Sequence, residues 1–482
     1  MPAARRFCHG VGSGMADPMR WTPEELAAAA GGTLARRGTA TIETAFLDTR
    51  QPRANALFVP IVAARDGHDF LDAAVSGQAG AVLVQQGRPI PAGDLTVVVV
   101  AETAAALTRL AAHARARIHG PVVAITGSNG KTTTRALTAA GLRTRFRALT
   151  CTRGNLNNHL GVPLTLLDLP HDPEAAVVEL GMSAPGENDR LARIVCPNVA
   201  VVTSIGLEHL ETMKTLESIA RAEAEVMPHV RTGGAIVIPA DEPLLEATLP
   251  RRDDVTVLRF GRSPTADVSV EHVALDATTH TTLRLPDGSR VSTEVKNFGA
   301  HNALNAAAAM CVAWHLQLDT KAAASAMAEV DVVGHRGRAI EVRGHLLIAD
   351  CYNANPASMK AALTSLSALR SRRAGPLVAV VGDMLELGPT ESELHREVGD
   401  LAAQLDLDAV ISVGSRARVI SDAARGHGVS TYRFDRAGDE VAAWLASWLE
   451  GVVGAAVLFK GSRGAALEHV LEPLITRLEG RA

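Results

Sequence analysis

The feature that most constrains this chain is an apolar strand followed directly by a glycine-rich loop and a helix. Residues 121–126 are Pro-Val-Val-Ala-Ile-Thr, residues 127–132 are Gly-Ser-Asn-Gly-Lys-Thr, and a helix is predicted from about Lys131. In such a unit, backbone N–H groups and the helix N-terminus face a phosphate group. Lys131 adds a point charge for the β- and γ-phosphates, and Thr132 adds a hydroxyl for Mg²⁺.

The loop departs from the common phosphate-loop pattern GxxxxGK[ST], because the position expected to be glycine is Ile125 and the glycine present is Gly127. The alternative interpretation is a simple glycine turn with a surface lysine. The preceding strand and the following helix favour phosphate binding. The scarcity of lysine favours it too, since six of the 48 basic residues are lysine and two of them, Lys131 and Lys460, follow apolar strands in glycine-rich loops.

Length and composition set the broad class. The 482 residues predict about three domains, and an apolar fraction of 47% is sufficient for packed cores. A net charge of −4 gives no reason to expect a nucleic-acid partner. The five cysteines show no metal-ligand spacing, and no secretory or membrane-spanning segment is recognisable, so a cytoplasmic protein is expected. A monomer is expected, because no feature such as a heptad seam requires more.

The rhythm of strands and helices predicts an α/β protein of three domains. We expect a disordered extension over 1–20, with Met1, Met15 or Met19 as the start, and a small α/β domain over 21–118 whose first helix is capped by Thr22. A central domain with a parallel sheet is expected over 119–331, and it contains a hairpin turn at Asp287-Gly288. A Rossmann-like domain is expected over 332–482.

Several motifs, in order along 21–482, resemble the Mur ligase family. They are Thr-Gly-Ser-Asn-Gly-Lys-Thr at 126–132, Gly-Asn-Leu-Asn-Asn at 154–158, Glu-Leu-Gly at 179–181, Glu-His-Leu-Glu at 208–211, Ala-His-Asn at 300–302, Asp-Cys-Tyr-Asn-Ala-Asn-Pro at 350–356, Gly-Asp-Met-Leu-Glu-Leu-Gly at 382–388 and Lys-Gly-Ser-Arg at 460–463. Within the family, the motifs are similar to those of members that join D-alanyl-D-alanine to UDP-N-acetylmuramoyl-tripeptide. The resemblance implies an ATP- and Mg²⁺-dependent amide ligase of peptidoglycan synthesis that forms an acyl phosphate.

The resemblance also implies a catalytic and metal-binding set: Lys131 at the phosphates, with Thr132, Glu179 and His209 for Mg²⁺. One departure concerns Glu223, which stands where the family usually has a carbamylated lysine. We hypothesise that Glu223 supplies the charge of that carbamate. The alternative is an ordinary solvated helix residue, and the corresponding alternatives for Glu179 and His209 are a strand-end acid and a polar loop histidine.

The remaining implied contacts belong to the nucleotide and the substrates. The phosphates are expected to contact residues 127–133, which are Gly127, Ser128, Asn129, Gly130, Lys131, Thr132 and Thr133. Asn302 resembles the residue that binds adenine, with a helix N-cap as its alternative. Arg338 resembles an arginine that reaches the phosphates, and Asp350 a ribose ligand; a surface ion pair is the alternative for each.

Substrate residues are implied more weakly. The candidates for the UDP-sugar are Thr49, Arg50, Asp66 and His68; those for the tripeptide are Asn157 and Asn158; and those for D-alanyl-D-alanine are Asn353, Asn355 and Asp383. A turn and helix cap is an equal interpretation of 353–356. Whether the third residue of the tripeptide is diaminopimelate or lysine stays open.

Two other functions stay open at this point. One is an amide ligase of the same superfamily with a different acceptor, which the departure at Glu223 permits. The other is an ATP-binding regulatory or scaffolding protein without turnover, against which Lys131, Thr132, Glu179 and His209 argue. The two-domain origin of the nucleotide contacts also predicts closure of the third domain onto the second.

Overall fold

The computed structural model describes residues 19–332 and 334–480, which form two compact units. The first unit comprises residues up to 121 together with 146–176, and the second comprises 122–145 and everything after 176. The expected extension over 1–20 lies outside the described residues as far as residue 18. Met19 is buried, and its N–H donates to the Leu169 carbonyl at 3.0 Å.

The elements of the chain up to residue 121 surround one sheet. They are α1 (Pro23–Ala30), β1 (Thr33–Arg36), β2 (Ala45–Phe46), β3 (Leu57–Phe58), α2 (Leu71–Ser76), β4 (Ala81–Gln85), β5 (Thr96–Val100) and α3 (Thr103–Ala116). The strand order is β1-β5-β4-β3-β2, with β1 antiparallel to β5 and the other pairs parallel. Thr22 caps α1 in a capping box with Glu25, as its sequence predicts.

The elements of residues 122–332 continue the alternation. They are β6 (Val122–Thr126), α4 (Lys131–Arg143), β7 (Leu149–Cys151), α5 (Gly161–Leu167), β8 (Ala175–Glu179), α6 (Glu187–Val195), β9 (Val199–Val202), α7 (Leu210–Met213), α8 (Leu216–Ala224), β10 (Ala235–Pro239), α9 (Pro243–Glu246), β11 (Thr256–Gly261), β12 (Val268–Leu275), β13 (Thr279–Arg284), β14 (Arg290–Val295), α10 (Asn302–His315) and α11 (Thr320–Ala328).

Parallel pairing from β6 through β9, β10 and β11 to β12 forms the centre of the sheet in the second unit, and β8 lies beside β6. Strands β6, β8 and β9 are buried along their whole length, as expected for a parallel sheet covered on both faces. The predicted hairpin is present, because β13 and β14 pair antiparallel around Gly288. The phosphate-loop candidate therefore lies at the carboxyl ends of buried parallel strands, where such sheets bind ligands.

The elements of residues 334–480 form the second sheet of the second unit, which is open, together with its helices. They are β15 (Arg338–Val342), β16 (His345–Ala349), α12 (Pro356–Ser367), β17 (Leu377–Gly382), α13 (Glu391–Gln404), β18 (Ala409–Val413), α14 (Arg418–Gly426), β19 (Ser430–Phe434), α15 (Asp439–Glu450), β20 (Ala456–Lys460) and α16 (Glu468–Leu478). The strand order is β15-β16-β20-β17-β18-β19. We call residues 122–145 and 177–332 the middle part, and residues 334–480 the C-terminal part, of the second unit.

Residues 334–337 lead into the edge strand β15, which pairs antiparallel with β16. The last helix begins at Glu468, because residues 463–465 form a 3₁₀ turn that ends at Ala466 with φ +48°. Within the described ranges, no helix has both the length and the apolar character needed to cross a membrane.

Candidate active site

The phosphate loop connects β6 to α4, and its two glycines are required by close packing. Gly127 has φ +119°, and a Cβ there would lie 2.3 Å from Thr203 Oγ1. Gly130 has φ +88°, and a Cβ there would lie 2.3 Å from Asn305 Oδ1. No described side chain caps α4 at Gly130, so the helix N-terminus is open toward an anion.

The segment that follows β9 holds the loop in place. Ser128 N–H donates to the Ser204 carbonyl at 2.9 Å, and Asn129 N–H donates to Ser204 Oγ at 2.9 Å. Thr203 Oγ1 donates to the Asn129 carbonyl at 2.6 Å, and Gly206 N–H donates to Ser128 Oγ at 2.9 Å. The conformation of the loop is therefore set before any ligand binds.

Lys131 lies among carboxylates. Its Nζ donates to the Gly127 carbonyl. Burial alone would lower the pKa of Lys131, but the carboxylates of Glu208, Glu223 and Glu179 outweigh burial and raise it. Lys131 is therefore held as a cation at the phosphate loop.

Glu179, at the end of β8, is buried and contacts two residues of α4. Thr132 Oγ1 donates to Glu179 Oε2 at 3.1 Å, and Arg135 Nη1 lies 3.0 Å from the same oxygen. Thr132 and Glu179, both predicted as magnesium ligands, are thus neighbours. Arg135 was not singled out from the sequence, although its position one helical turn after Lys131 places it on the same face of α4.

Glu223 is buried, so the alternative of a solvated helix residue is wrong. Its Oε2 accepts hydrogen bonds from Thr126 Oγ1, from Gly127 N–H at 2.9 Å and from Asn188 Nδ2 at 3.1 Å. Burial raises the pKa of Glu223, while Lys131 and these donors oppose the rise. The carboxylate that replaces a lysine in the family motif is therefore attached directly to the phosphate loop.

Glu208 is a further carboxylate near the phosphate loop. It begins the Glu-His-Leu-Glu motif, but the sequence did not identify it as a site residue. Burial raises the pKa of Glu208 to about 7; Lys131 opposes the rise, and Glu223 adds to it. Three carboxylates thus surround one lysine, which is an environment that a further cation would stabilise.

His209 faces the C-terminal part. Its Nδ1 lies 2.5 Å from Glu386 Oε2, and the N–H of Leu210 donates to the Glu386 carbonyl at 3.1 Å. Among the described residues, no three His, Cys, Asp or Glu side chains form one metal-binding group. The predicted ligands Thr132, Glu179, His209 and Glu223 are therefore not gathered into a preformed site, since His209 contacts Glu386 and Glu223 contacts the loop backbone.

Asn302 is the first residue of α10 and lies close to the phosphate loop. The N-cap position belongs to His301, so the alternative role of Asn302 as an N-cap is wrong. Asn302 Nδ2 donates to the Phe298 carbonyl at 3.1 Å, and its Oδ1 accepts from Asn305 Nδ2 at 3.0 Å. Asn305, which the sequence reasoning did not select, also accepts from Thr134 Oγ1 at 3.3 Å and so connects α10 to α4.

Arg336, which the sequence did not identify as a site residue, lies in the C-terminal part and acts electrostatically on Lys131 of the phosphate loop. Arg338 is exposed at the start of the edge strand β15. The Arg336 guanidinium lies 3.7 Å from the ring centroid of Tyr352; burial lowers its pKa, and Glu179 and Asp350 oppose that shift. The next residue, Gly337, has φ +75°, and a Cβ there would lie 2.6 Å from the Phe298 carbonyl oxygen. Only glycine therefore fits the turn that follows Arg336.

Asp350 and Lys460 form an ion pair with an Nζ–Oδ2 distance of 2.8 Å. Lys460 also donates to the Asn353 carbonyl at 3.1 Å, while the Asn353 side chain is exposed. Both lysines of the glycine-rich loops therefore belong to charged networks, Lys460 buried and Lys131 half-buried. The ion-pair alternative for Asp350 is present, but the pair is largely buried rather than on the surface.

Asn355 has two contacts at once. Its side chain accepts from Ser358 N–H and caps α12, as the alternative interpretation predicted. Its Nδ2 also donates to Asn129 Oδ1 at 3.0 Å, so the C-terminal part contacts the phosphate loop. Asp383 accepts from the Ala417 N–H at 2.7 Å and supports the turn after β18.

The substrate candidates of the first unit are mostly engaged in local contacts. Arg50 is exposed and pairs with Asp48 at 2.7 Å, and Thr49 between them is half-buried. His68 is buried; its Nδ1 lies 2.7 Å from Asp66 Oδ1, and its Nε2 accepts from the Gln85 N–H at 3.1 Å. His68 therefore has both ring nitrogens occupied.

The motif at 154–158 also folds locally. Asn158 Oδ1 accepts from the N–H groups of Leu160 at 3.1 Å and Gly161 at 2.9 Å, at the start of α5. Asn157 is half-buried, and its N–H donates to the Asn155 carbonyl at 2.8 Å. In this motif Asn158 thus has a structural role that needs no ligand.

Comparison with known proteins fits this arrangement. The Mur ligase middle domain matches residues 125–313, and the Mur ligase glutamate ligase domain matches residues 335–463. Fold and site together thus define a Mur ligase. More narrowly, the chain belongs to the family of UDP-N-acetylmuramoyl-tripeptide–D-alanyl-D-alanine ligases. The relative from Bacillus subtilis is 34% identical, covering 89% of this chain and 92% of its own length.

Further relatives agree. The Escherichia coli ligase of the same name is 34% identical, covering 90% of this chain and 94% of its own. The crystal structure of MurF from Acinetobacter baumannii has a TM-score of 0.83 at 29% identity, with 95% of this chain and 99% of that chain covered. MurF from Thermotoga maritima in complex with ADP has a TM-score of 0.78 at 29% identity, with 91% and 98% covered.

Proposed function

We propose that the chain uses ATP to join the terminal carboxylate of UDP-N-acetylmuramoyl-tripeptide to the amine of D-alanyl-D-alanine. The observation that carries the proposal is the phosphate loop, in which Gly127 and Gly130 expose the backbone and Lys131 lies among three carboxylates. Relatives that bear this activity in their names align over nine-tenths of the chain, and a homologue was crystallised with ADP. The products are the UDP-linked pentapeptide, ADP and phosphate.

The reaction has two bond exchanges. A carboxylate oxygen of the tripeptide attacks the γ-phosphorus, the bond to the β-bridging oxygen breaks, and ADP leaves. The amine then attacks the acyl carbon and loses a proton, and phosphate leaves with the former carboxylate oxygen. The enzyme's part is to position the reactants and neutralise charge. Lys131 and the α4 N-terminus suit the transferred phosphate, and Arg336 adds a second cation from the C-terminal part.

The donor set also fits Mg²⁺, which prefers oxygen ligands. Thr132 and Glu179 are adjacent and would hold the ion, and the carboxylates of Glu208 and Glu223 add negative charge near Lys131. When bound, the ion neutralises phosphate charge. Glu223 contributes the negative charge that the carbamylated lysine has in relatives, and His209 is the remaining candidate ligand. Asn302 and Asp350 are proposed for the adenosine side.

We propose that Thr49, Arg50 and Asn157 contact the UDP-linked tripeptide, and that Asn353, which is exposed, contacts D-alanyl-D-alanine. Asp66, His68, Asn158, Asn355 and Asp383 act by shaping the loops that carry those contacts. We also propose that the enzyme works as a monomer in the cytoplasm.

Phosphate release tests the proposal. It is expected to require ATP, UDP-N-acetylmuramoyl-tripeptide and D-alanyl-D-alanine together, and to be lost in Lys131→Ala. Release that needs the tripeptide but proceeds with another amine would indicate a different acceptor. Release with ATP alone, in the absence of both substrates, would contradict the ligase proposal.

A further inference from the structure

We propose that Glu386 is a positioning residue for the ligation reaction. By accepting the Nδ1 proton of His209, it selects the ring tautomer that leaves Nε2 free as a ligand for the metal–nucleotide complex. The inference rests on the proposed function, because it assigns His209 to that complex. It makes a complete nucleotide site depend on a residue of the C-terminal part.

The chemistry follows from the imidazole ring. A neutral histidine has one N–H and one lone-pair nitrogen, and a carboxylate can accept only from the N–H. The 2.5 Å contact between His209 Nδ1 and Glu386 Oε2 therefore assigns the proton to Nδ1 and the lone pair to Nε2. Histidine ligands of metals commonly use a carboxylate in this way, which fixes the ring orientation.

The His209 loop is close enough to the phosphate loop for this to matter. Glu208, the preceding residue, acts electrostatically on Lys131, and His209 in turn acts on Glu208. The residue after His209 is held as well, because the N–H of Leu210 donates to the Glu386 carbonyl. The two segments are therefore joined by one side-chain contact and one backbone hydrogen bond.

Both ends of the contact have an unusual backbone. His209 has φ +50° and Glu386 has φ +64°, in the left-handed region that non-glycine residues seldom adopt. Such conformations cost free energy and persist where the surroundings enforce them, which is common at functional sites. Leu210, next to His209, packs against the core cluster that contains Met384 and Leu387, close in sequence to Glu386.

The Glu386 loop is also connected to the second contact on the nucleotide site. Leu385 N–H donates to Ser462 Oγ at 3.1 Å, and Ser462 Oγ contacts the Ala354 carbonyl at 3.3 Å. The next residue, Asn355, donates to Asn129 of the phosphate loop. One connected set of loops in the C-terminal part therefore contacts the phosphate loop through Asn355 and the His209 loop through Glu386.

The contact is too exposed to be explained by stability alone. The side chains of His209 and Glu386 are 31% and 58% exposed, and ion pairs at such sites contribute little to folding. Orientation of the ring is the role that remains. Loss of Glu386 is therefore expected to change the histidine without unfolding the protein.

The experiment compares wild type with Glu386→Ala, Glu386→Gln and the control Glu393→Ala, whose side chain is exposed on α13. Nitrogen NMR of the full-length, nucleotide-free chain reports the His209 tautomer. We expect Nδ1–H in wild type, in Glu393→Ala and in Glu386→Gln, which keeps an acceptor oxygen. Glu386→Ala is expected to shift toward Nε2–H.

The second readout is the Mg²⁺ dependence of phosphate release. Glu386→Ala is expected to need about 10- to 100-fold more Mg²⁺ for half-maximal rate, the usual effect of removing such a partner, with an unchanged KM for the tripeptide. Glu386→Gln should restore most of this loss. An unchanged tautomer in Glu386→Ala, or an unchanged Mg²⁺ requirement, would overturn the inference.

Failure of the proposed function would look different. If the wild type released no phosphate with both substrates, the ligase proposal would fall, while the NMR comparison would still show whether Glu386 sets the tautomer. If ligation proceeded normally but the tautomer did not respond to Glu386, the inference alone would be wrong.

Discussion

Replacing Gly127 with alanine tests whether the phosphate loop is held as tightly as its contacts imply. The new Cβ would lie 2.3 Å from Thr203 Oγ1 and 2.7 Å from Thr203 N, and the φ of +119° is unfavourable for alanine. Because Thr203 itself anchors the loop through the Asn129 carbonyl, the loop and its anchor have to separate. The substitution should therefore act on nucleotide binding more than on the fold.

The magnitude follows from two contributions. The strained backbone costs about 1–3 kcal/mol, and the loss of one or two of the anchoring hydrogen bonds costs about 1 kcal/mol each. A total of about 3 kcal/mol corresponds to an approximately 100-fold loss of affinity. Titration calorimetry with ADP and Mg²⁺ measures it directly.

Gly288→Ala is the matched control. Gly288 also has a positive φ, +82°, but a Cβ there would meet no atom within 4 Å. This variant should lose some stability and bind ADP like the wild type. If Gly127→Ala also bound ADP as tightly as the wild type, the argument from close packing would be refuted.

Three further predictions concern charged residues. Glu223→Ala should lower activity by about 10-fold or more, because three buried donors, among them the Gly127 N–H of the phosphate loop, lose their charged acceptor; Glu223→Lys should recover activity when bicarbonate is added. Glu208 has a pKa raised from 4.5 to about 7, so the nucleotide-free fold should lose stability as pH rises between those values, as measured by denaturant unfolding, and Glu208→Gln should lose less, with the remainder due to Glu223. Arg336→Ala should reduce kcat by about 10-fold or more, a loss typical of an electrostatic contact to the transferred phosphate, whereas Arg338→Ala should not.

Each of these has a result that would count against it. Unchanged activity and Mg²⁺ dependence in Glu223→Ala would reduce that residue to a packing role. A pH dependence that is unchanged in Glu208→Gln would point to another group. Equal losses in the two arginine variants would return Arg338 to the site.

The sequence predicted the fold class well, because its strands are long apolar runs with clear turn residues between them. Glu223 could be recognised as a departure from a motif, but its three donors could not. Thr126, Gly127 and Asn188 lie on β6, the loop and α6, and they come together only through the parallel sheet. The spacing of motifs along the sequence does not indicate such contacts between distant residues.

Arg336 could not be identified for a different reason. The glycine-rich sequence before β15 indicates neither the register of that strand nor the turn at Gly337. Those two features leave Arg338 exposed and turn Arg336 toward Tyr352. The His209–Glu386 contact was equally inaccessible, since 177 residues separate its partners.

The central claim is that a tripeptide carboxylate attacks the γ-phosphate of ATP before the amide forms. The most direct test is ligation with UDP-N-acetylmuramoyl-tripeptide that carries ¹⁸O in its terminal carboxylate, followed by mass spectrometry of the products. The account predicts pentapeptide product together with phosphate that has gained one ¹⁸O atom from the carboxylate. Pentapeptide formed with unlabelled phosphate would contradict it.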